Sequence, residues 1–209
     1  MKNIYVQIGA GAGDLDSRAG FRDGFTELVK SLDASTIERI ILVEPNPTNI
    51  PNLRECWKKY PQAEIHELGI CLESSTEKVI TFYYAEDDGP HFQVFSMKKQ
   101  HVLDHYPTSE IKSKIVNCTT LKELLDNTVG KNTIIDVLAL DIEGIDADII
   151  LENNWNEINC RYISIEHLHL RENSQQVNQT LTSAGYQYAG NGLDHNNFDW
   201  AFVKQFNQV

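Results

Sequence analysis

Val6-Gln7-Ile8-Gly9-Ala10-Gly11-Ala12-Gly13-Asp14 runs from an apolar segment straight into three glycines at alternate positions. Working outward, a second apolar run, Arg39 to Val43, closes on Glu44. Glycine lets the backbone turn tightly and approach a ligand, because no Cβ stands in the way. A carboxylate ending the next strand can accept both hydroxyls of a ribose. The two features in this order describe a pocket for an adenosine-bearing cofactor.

The surrounding chain fits that reading. Short apolar runs at Ile4–Ile8, Arg39–Val43, Ala63–Leu68, Ile134–Asp141 and Tyr162–Glu166 read as strands. The fourth is apolar almost throughout, as expected of a central parallel strand covered on both faces. Phe21–Leu32, Ile50–Tyr60 and Leu121–Asn127 carry apolar residues at helical spacing. Thr120-Leu121-Lys122-Glu123 reads as a capping box that opens the third of these. Such βα alternation implies a parallel sheet flanked by helices.

The end of the chain breaks the rhythm. After a helix near Gln175–Ala184 come Tyr186–Ala189, a polar turn at Asn191–Asn197, and Phe198–Lys204. Two strands with so short a link must be antiparallel. The expected fold is therefore α/β, a Rossmann-like class I methyltransferase fold. Its sheet is mostly parallel and seven-stranded, with helices on both faces and a C-terminal antiparallel hairpin. Between Leu72 and Cys118 the pattern is less regular: Lys78–Tyr84 looks like a strand and Glu86-Asp87-Asp88-Gly89-Pro90 like a turn or mobile loop. No linker divides the chain, so residues 1–209 are expected to form a single domain.

Composition narrows the partners. The 209 residues are 41% hydrophobic and 23% charged, as in a soluble globular protein. A formal charge of −12, from 18 basic and 30 acidic residues, argues against nucleic acid, whose binding depends on Lys and Arg neutralising phosphates. Cys56, Cys71, Cys118 and Cys160 form no CxxC pair and sit in or beside apolar runs, which suggests reduced, buried thiols. With no signal-peptide pattern and no apolar stretch of membrane-spanning length, a cytoplasmic location without membrane insertion is expected.

Which cofactor the loop accepts can be argued from Asp14. A dinucleotide fingerprint counted from Gly9 wants glycine at its sixth position, where Asp14 stands. A carboxylate at the start of the helix would repel a pyrophosphate. S-adenosylmethionine has no phosphate and carries an ammonium and a sulfonium, so an acid there is tolerable. The 33 residues from Gly11 to Glu44 also exceed the roughly 20 usual for dinucleotide folds. None of the eight tyrosines has a lysine four positions on, the pair that short-chain dehydrogenases use.

Several blocks together resemble the FkbM family of S-adenosylmethionine-dependent methyltransferases. Val6–Gly13 is similar to the family's "DVGANIG" loop, and Val43-Glu44-Pro45-Asn46-Pro47 to its "EPNP" segment. Thr120-Leu121 resembles the "TLD" helix start, Leu140-Asp141-Ile142-Glu143-Gly144 the "IDVEG" core, and Ile165-Glu166-His167 the "VEIH"-type strand end. The blocks occur in family order over nearly the whole chain.

The resemblance implies O-methylation of a hydroxyl on a sugar, glycolipid or other natural product. It places Gly9, Ala10, Gly11 and Gly13 at the cofactor's methionine part and Glu44, with Pro45 and Asn46, at the ribose. It also puts Glu67, Leu68 and Gly69 near the adenine and Ser96 in a loop near the cofactor. Three positions depart from the pattern. Gln7 stands where the family has an acid, leaving Asp14 as the residue to meet the cofactor's ammonium. Ala139 replaces a lysine, and Ile145-Asp146 replaces "AE".

A sugar hydroxyl needs a base within hydrogen-bond reach, and ligands of open α/β sheets bind at the carboxyl ends of strands. Asp141 and Glu143 end one such strand; Glu166, His167 and His169 end its expected neighbour. Asp141 is expected to orient cofactor or acceptor, and either His167 or Asp141 to act as base; the alternative for Asp141 is a helix N-cap, and for His167 a structural imidazole satisfied by a backbone partner. A divalent metal is not favoured; if present, its ligands would come from Asp141, Glu143, His167 and His169. His91, His101 and His105 flank the irregular middle and read as surface residues, with contact to an acceptor as the alternative, and Trp57, Trp155 and Trp200 read as core. Two other functions stay open, a catalytically silent cofactor-binding protein and an NAD(P)-dependent oxidoreductase. The expected acceptor is a small molecule or glycan; the sequence leaves oligomeric state open.

Overall fold

Alternation along the first strand decides how the layers stack. In β1 (Asn3–Ile8), Ile4, Val6 and Ile8 face one hydrophobic cluster and Tyr5 faces another. The same split recurs wherever strands are buried on both faces. The computed structural model describes residues 2–15, 22–85, 94–142 and 144–206. Glu86–Pro90, His91 and Glu143 lie outside the described residues.

From β1 the chain passes through α1 (Gly24–Ser31), β2 (Ile37–Val43), α2 (Ile50–Trp57) and β3 (Ala63–His66). Next come β4 (Gly69–Cys71), β5 (Val79–Ala85), α3 (Lys99–His105), β6 (Ile111–Thr120) and α4 (Leu121–Thr128). The last third holds β7 (Ile135–Leu140), α5 (Asp146–Glu152), β8 (Cys160–Glu166), α6 (Ser174–Ser183), β9 (Gln187–Asn191) and β10 (Asp199–Val203). Seven strands form the main sheet in the order β3-β2-β1-β7-β8-β10-β9. β10 pairs antiparallel with both β8 and β9, so the expected C-terminal hairpin is present in an otherwise parallel sheet.

Helices cover both faces. Phe25 and Val29 of α1 and Leu53 and Trp57 of α2 pack on Tyr5, Ile40, Leu42 and Val137. On the other face, Leu124 of α4, Ile149 and Ile150 of α5, and Val177 and Leu181 of α6 pack on Val6, Ile41, Leu138 and Ile163. Thr120 caps α4 by accepting a hydrogen bond from the Glu123 N–H at 3.2 Å. The Glu123 carboxylate reaches back to the Thr120 backbone N–H, as a capping box requires, and also accepts from the Thr119 hydroxyl at 2.9 Å. Trp57 and Trp155 are core residues as expected, whereas Trp200 is only partly buried and stacks on His167.

The irregular middle is more ordered than its sequence suggests. β4, β6 and β5 make a separate three-stranded sheet, in which all of β5 pairs antiparallel with the first part of β6 and β4 pairs parallel with its end. Phe82 of this sheet stacks on Phe95 with centroids 4.7 Å apart. All four cysteines are free, three of them buried. Burial pushes the Cys160 thiol up to about 12. Among the described residues, no helix is long and apolar enough to cross a membrane.

Candidate functional site

The strand ends converge on one cavity of about 460 Å³, within the range usual for small-molecule and cofactor sites. Its floor is the glycine turn: Gly9, Ala10, Gly11, Ala12 and Gly13 all line it. Gly9, Gly11 and Gly13 have φ of +81°, +53° and +60°, the left-handed region that favours glycine. At Gly9 there is also no room, since a Cβ would stand 1.7 Å from the carbonyl oxygen of Asp141. The turn is further tied to β2, because the Gly9 and Ala10 N–H groups both donate to the Val43 carbonyl at 2.9 Å.

Glu44 faces this turn. It is buried, yet lines the cavity, and its carboxylate is fully oriented by its neighbours. Oε2 accepts from Gly11 N–H at 2.7 Å; Oε1 accepts from Asn46 N–H at 2.8 Å and from the Asn49 side-chain amide at 3.3 Å. Pro45 lines the cavity beside it, and Asn46 lies beneath as a buried support.

Two orphaned acceptors add chemical detail. Gln7 Oε1 and Asn49 Oδ1 are buried with no hydrogen-bond partner among the described residues, and both residues line the cavity. A buried acceptor left unpaired costs on the order of 1–3 kcal/mol, which a ligand donor would recover. Asn49 lies beside Glu44, where ribose hydroxyls would need acceptors. Gln7 lies beside Asp23, to which its side-chain amide donates at 3.0 Å.

Asp23 is the acid that sequence reasoning missed. It lines the cavity while capping α1, accepting from the Phe25 and Thr26 N–H groups and from the Thr26 hydroxyl. Burial raises its pKa against the opposing pull of those hydrogen bonds. An N-cap Asp is so common that position alone gives no hint of a ligand. Asp14, expected to meet an ammonium, is turned elsewhere: its carboxylate pairs with Lys30 at 2.8 Å and is not in the cavity wall.

On the opposite side stand the ends of β7 and β8. Asp141, Glu166 and His169 line the cavity. Asp141 is exposed, and its backbone N–H donates to Ile8, locking the end of β7 to β1. It is not a helix cap, since Ile145 holds the N-cap position of α5. His167, the other expected base, lies outside the cavity. Its backbone N–H donates to Phe198, its Nε2 contacts the Asn197 carbonyl at 3.0 Å, and its ring stacks on Trp200. Of the residues expected to hold a metal, His169 instead packs against His101 and His105.

The residues expected near adenine divide between the cavity wall and its surroundings. Leu68 lines the cavity, together with Ile70 and Phe82. Gly69 does not; a Cβ there would meet the Phe82 ring at 2.9 Å, so this glycine serves strand packing. Glu67 is drawn outward by Arg54. Ser96 is fully buried away from the cavity, exchanging backbone bonds with Tyr83 and accepting from Lys98 N–H at 3.1 Å.

The profile of the methyltransferase FkbM domain matches residues 7–188. The chain belongs to this family. An FkbM methyltransferase from Methylobacillus flagellatus KT is among the similar solved structures, at 15% identity and a TM-score of 0.47 over 97% of this chain. The N-terminal domain of human METTL16, solved with S-adenosylhomocysteine, aligns over 99% of the chain at 10% identity and a TM-score of 0.50, a likeness of fold alone. Aeropyrum pernix fibrillarin, solved with natively bound S-adenosyl-L-methionine, aligns over 97% at 13% identity and a TM-score of 0.41. The chain spans 43%, 63% and 65% of these three proteins. No curated protein matches the sequence. Within this FkbM chain, Gln7 and Asp23 are hydrogen-bonded to each other in the cavity wall.

Proposed function

We propose that this FkbM-family chain transfers a methyl group from S-adenosylmethionine to a hydroxyl of a sugar, glycan or other small natural product. The observation that carries the reading is the pairing of Glu44 with the Gly11 N–H at the cavity floor, flanked by the unpaired acceptors Asn49 Oδ1 and Gln7 Oε1. Glu44 and Asn49 are suited to the ribose hydroxyls, Gln7 and Asp23 to the ammonium, and Leu68, Ile70 and Phe82 to the adenine face.

When bound, S-adenosylmethionine supplies a methyl group already activated by its sulfonium. Transfer forms a C–O bond as the C–S bond breaks, and the bonding pair stays on sulfur. The protein's task is to align the acceptor oxygen with the methyl carbon, a contribution of roughly 7–11 kcal/mol in well-oriented systems. Asp141, at the rim and in reach of solvent, accepts the acceptor's proton in this reading. Besides Asp23 and Glu44, four further carboxylates on the cavity wall, Asp141, Glu166, Asp194 and Asp199, favour a neutral or cationic acceptor over a polyanion. The same residues support a single catalytic unit within this chain.

Calorimetry with S-adenosylmethionine, S-adenosylhomocysteine and NAD tests the cofactor reading. Binding of the first two, weakened by Glu44→Ala, is expected; binding of NAD alone overturns it. S-adenosylhomocysteine production is then followed with sugars, glycolipids and RNA as acceptors. Turnover on hydroxylated small molecules is expected, and turnover on RNA alone removes the proposed acceptor class. Binding without turnover on any acceptor leaves the silent cofactor-binding protein as the better reading.

A further inference from the structure

His101 and His105 lie one turn apart on α3, which places both imidazoles on one face of the helix. His169 approaches that face from the turn after β8. The His101 and His169 rings meet edge to face with centroids 4.4 Å apart, and His105 lies 4.9 Å from His101 and 5.9 Å from His169. One ring nitrogen from each can be chosen so that all three lie within 4.8 Å of one another.

We propose that His101, His105 and His169 bind a divalent transition metal of the zinc class at the rim of the cavity. Three imidazoles are a donor set for zinc, cobalt or iron rather than for magnesium, which prefers oxygen. Around a tetrahedral zinc, ligand nitrogens stand roughly 3.3 Å apart, so small ring rotations close the set. The frame needed to hold it is already built. His101 is buried and touches Gly144, where a Cβ would press on its Nδ1 at 3.3 Å. Lys98 pins the start of α3 to the β7–α5 turn through the Gly144 carbonyl at 2.7 Å and Asp148 at 3.0 Å. Behind His169, the Glu166 carboxylate stands 3.6 Å from Nε2. Carboxylates in that position orient metal-bound imidazoles and raise their basicity.

Three protein ligands leave a position open, the arrangement of catalytic rather than structural zinc. Here the open side faces the cavity, since His105 and His169 line it. The ion binds the acceptor oxygen and lowers the pKa of its hydroxyl, whose proton then passes to Asp141. This role deepens the methyl transfer proposed above and rests on it; metal uptake does not.

The test uses the chelator-treated full chain without S-adenosylmethionine, titrated with Co²⁺ and read by visible absorption. One equivalent is expected to bind, and the band is expected to disappear in His105→Ala and in His169→Gln but to persist in His66→Gln. His105 is exposed, so its loss leaves folding intact, which circular dichroism checks. Absence of uptake, or uptake unchanged in both variants, overturns the site. Azide is expected to shift the Co²⁺ band through the open position; an unmoved band overturns the acceptor role. S-adenosylmethionine binding, measured separately by calorimetry, distinguishes failure of this site from failure of the cofactor reading.

Discussion

The Gly11 N–H donates to Glu44 Oε2 across 2.7 Å, so the glycine turn is bonded directly to the acid at the end of β2. Two elements that read separately in sequence thus form one rigid cradle. Substituting Glu44 by Gln turns one acceptor into a donor facing the Gly11 or Asn46 N–H. The expected cost is about 1–3 kcal/mol of stability, with a larger relative loss in S-adenosylmethionine affinity. Thermal unfolding and calorimetry measure the two, and unchanged affinity would remove Glu44 from the ribose site.

The glycines of the turn are not equivalent. Gly9→Ala puts a methyl 1.7 Å from the Asp141 carbonyl oxygen in addition to its φ of +81°. Destabilisation of about 3 kcal/mol is expected from this overpacking. Gly11→Ala meets nothing within 4 Å, so only the strain of a left-handed backbone remains, roughly 1–2 kcal/mol. Denaturant unfolding of both variants gives the order; equal losses would contradict the close approach of β1 and β7.

Cofactor affinity is expected to depend on pH through Asp23, whose pKa burial raises above the ordinary 3.8. On acidification the carboxylate is neutralised earlier than a solvated Asp, and attraction for an ammonium is lost with it. Affinity for S-adenosylmethionine therefore falls as pH drops through that raised value. In Asp23→Asn, which keeps a competent helix cap, binding is weaker at neutral pH and flat over the same window. Parallel pH profiles for the two proteins would exclude the contact.

Asp199 gives a stability prediction with a definite sign. Burial raises its pKa, against the hydrogen bond from the Ser164 hydroxyl at 2.6 Å. Above the folded value, the folded protein holds a buried charge that the unfolded chain would solvate. As pH falls through the folded value, the folded state takes up its proton first, and stability rises until the unfolded value near 3.8 is passed. Asp199→Asn is thus favoured over the parent at neutral pH, and this advantage shrinks on acidification. Melting temperatures of both proteins across that range check it.

Replacing Asp141 by Asn leaves the backbone link to Ile8 intact and removes the proton acceptor. Turnover is expected to fall about 10²–10⁴-fold. His167→Ala, by contrast, alters a ring held against Trp200 outside the cavity and is expected to retain most activity. Steady-state kinetics on a shared acceptor separate the two, and the opposite ranking would return the base to His167.

The centre of the main sheet was legible because β1, β2 and β7 are largely buried and read as nearly continuous apolar runs. β6 was not, since its Ile111–Thr120 stretch is mostly exposed or half-buried and carries two lysines among its polar positions. α3 escaped notice because only His101 and Val102 of its seven residues are buried, too few for an apolar stripe. Within the site, Glu44 and the glycines were readable as motif positions. Asp23 was hidden behind its capping duty, and Asp14 was spent on Lys30, a pairing between positions 16 residues apart that periodicity cannot reveal.

Phe82, which stacks on Phe95, comes from the small sheet, whereas Glu44 and the glycine turn follow strands of the large one. One cavity is therefore walled by both sheets, whose cores meet at Ile70 and Met97. Through Ile70 and Phe82, any change in the smaller sheet reaches the face proposed for adenine as well as the mouth of the cavity.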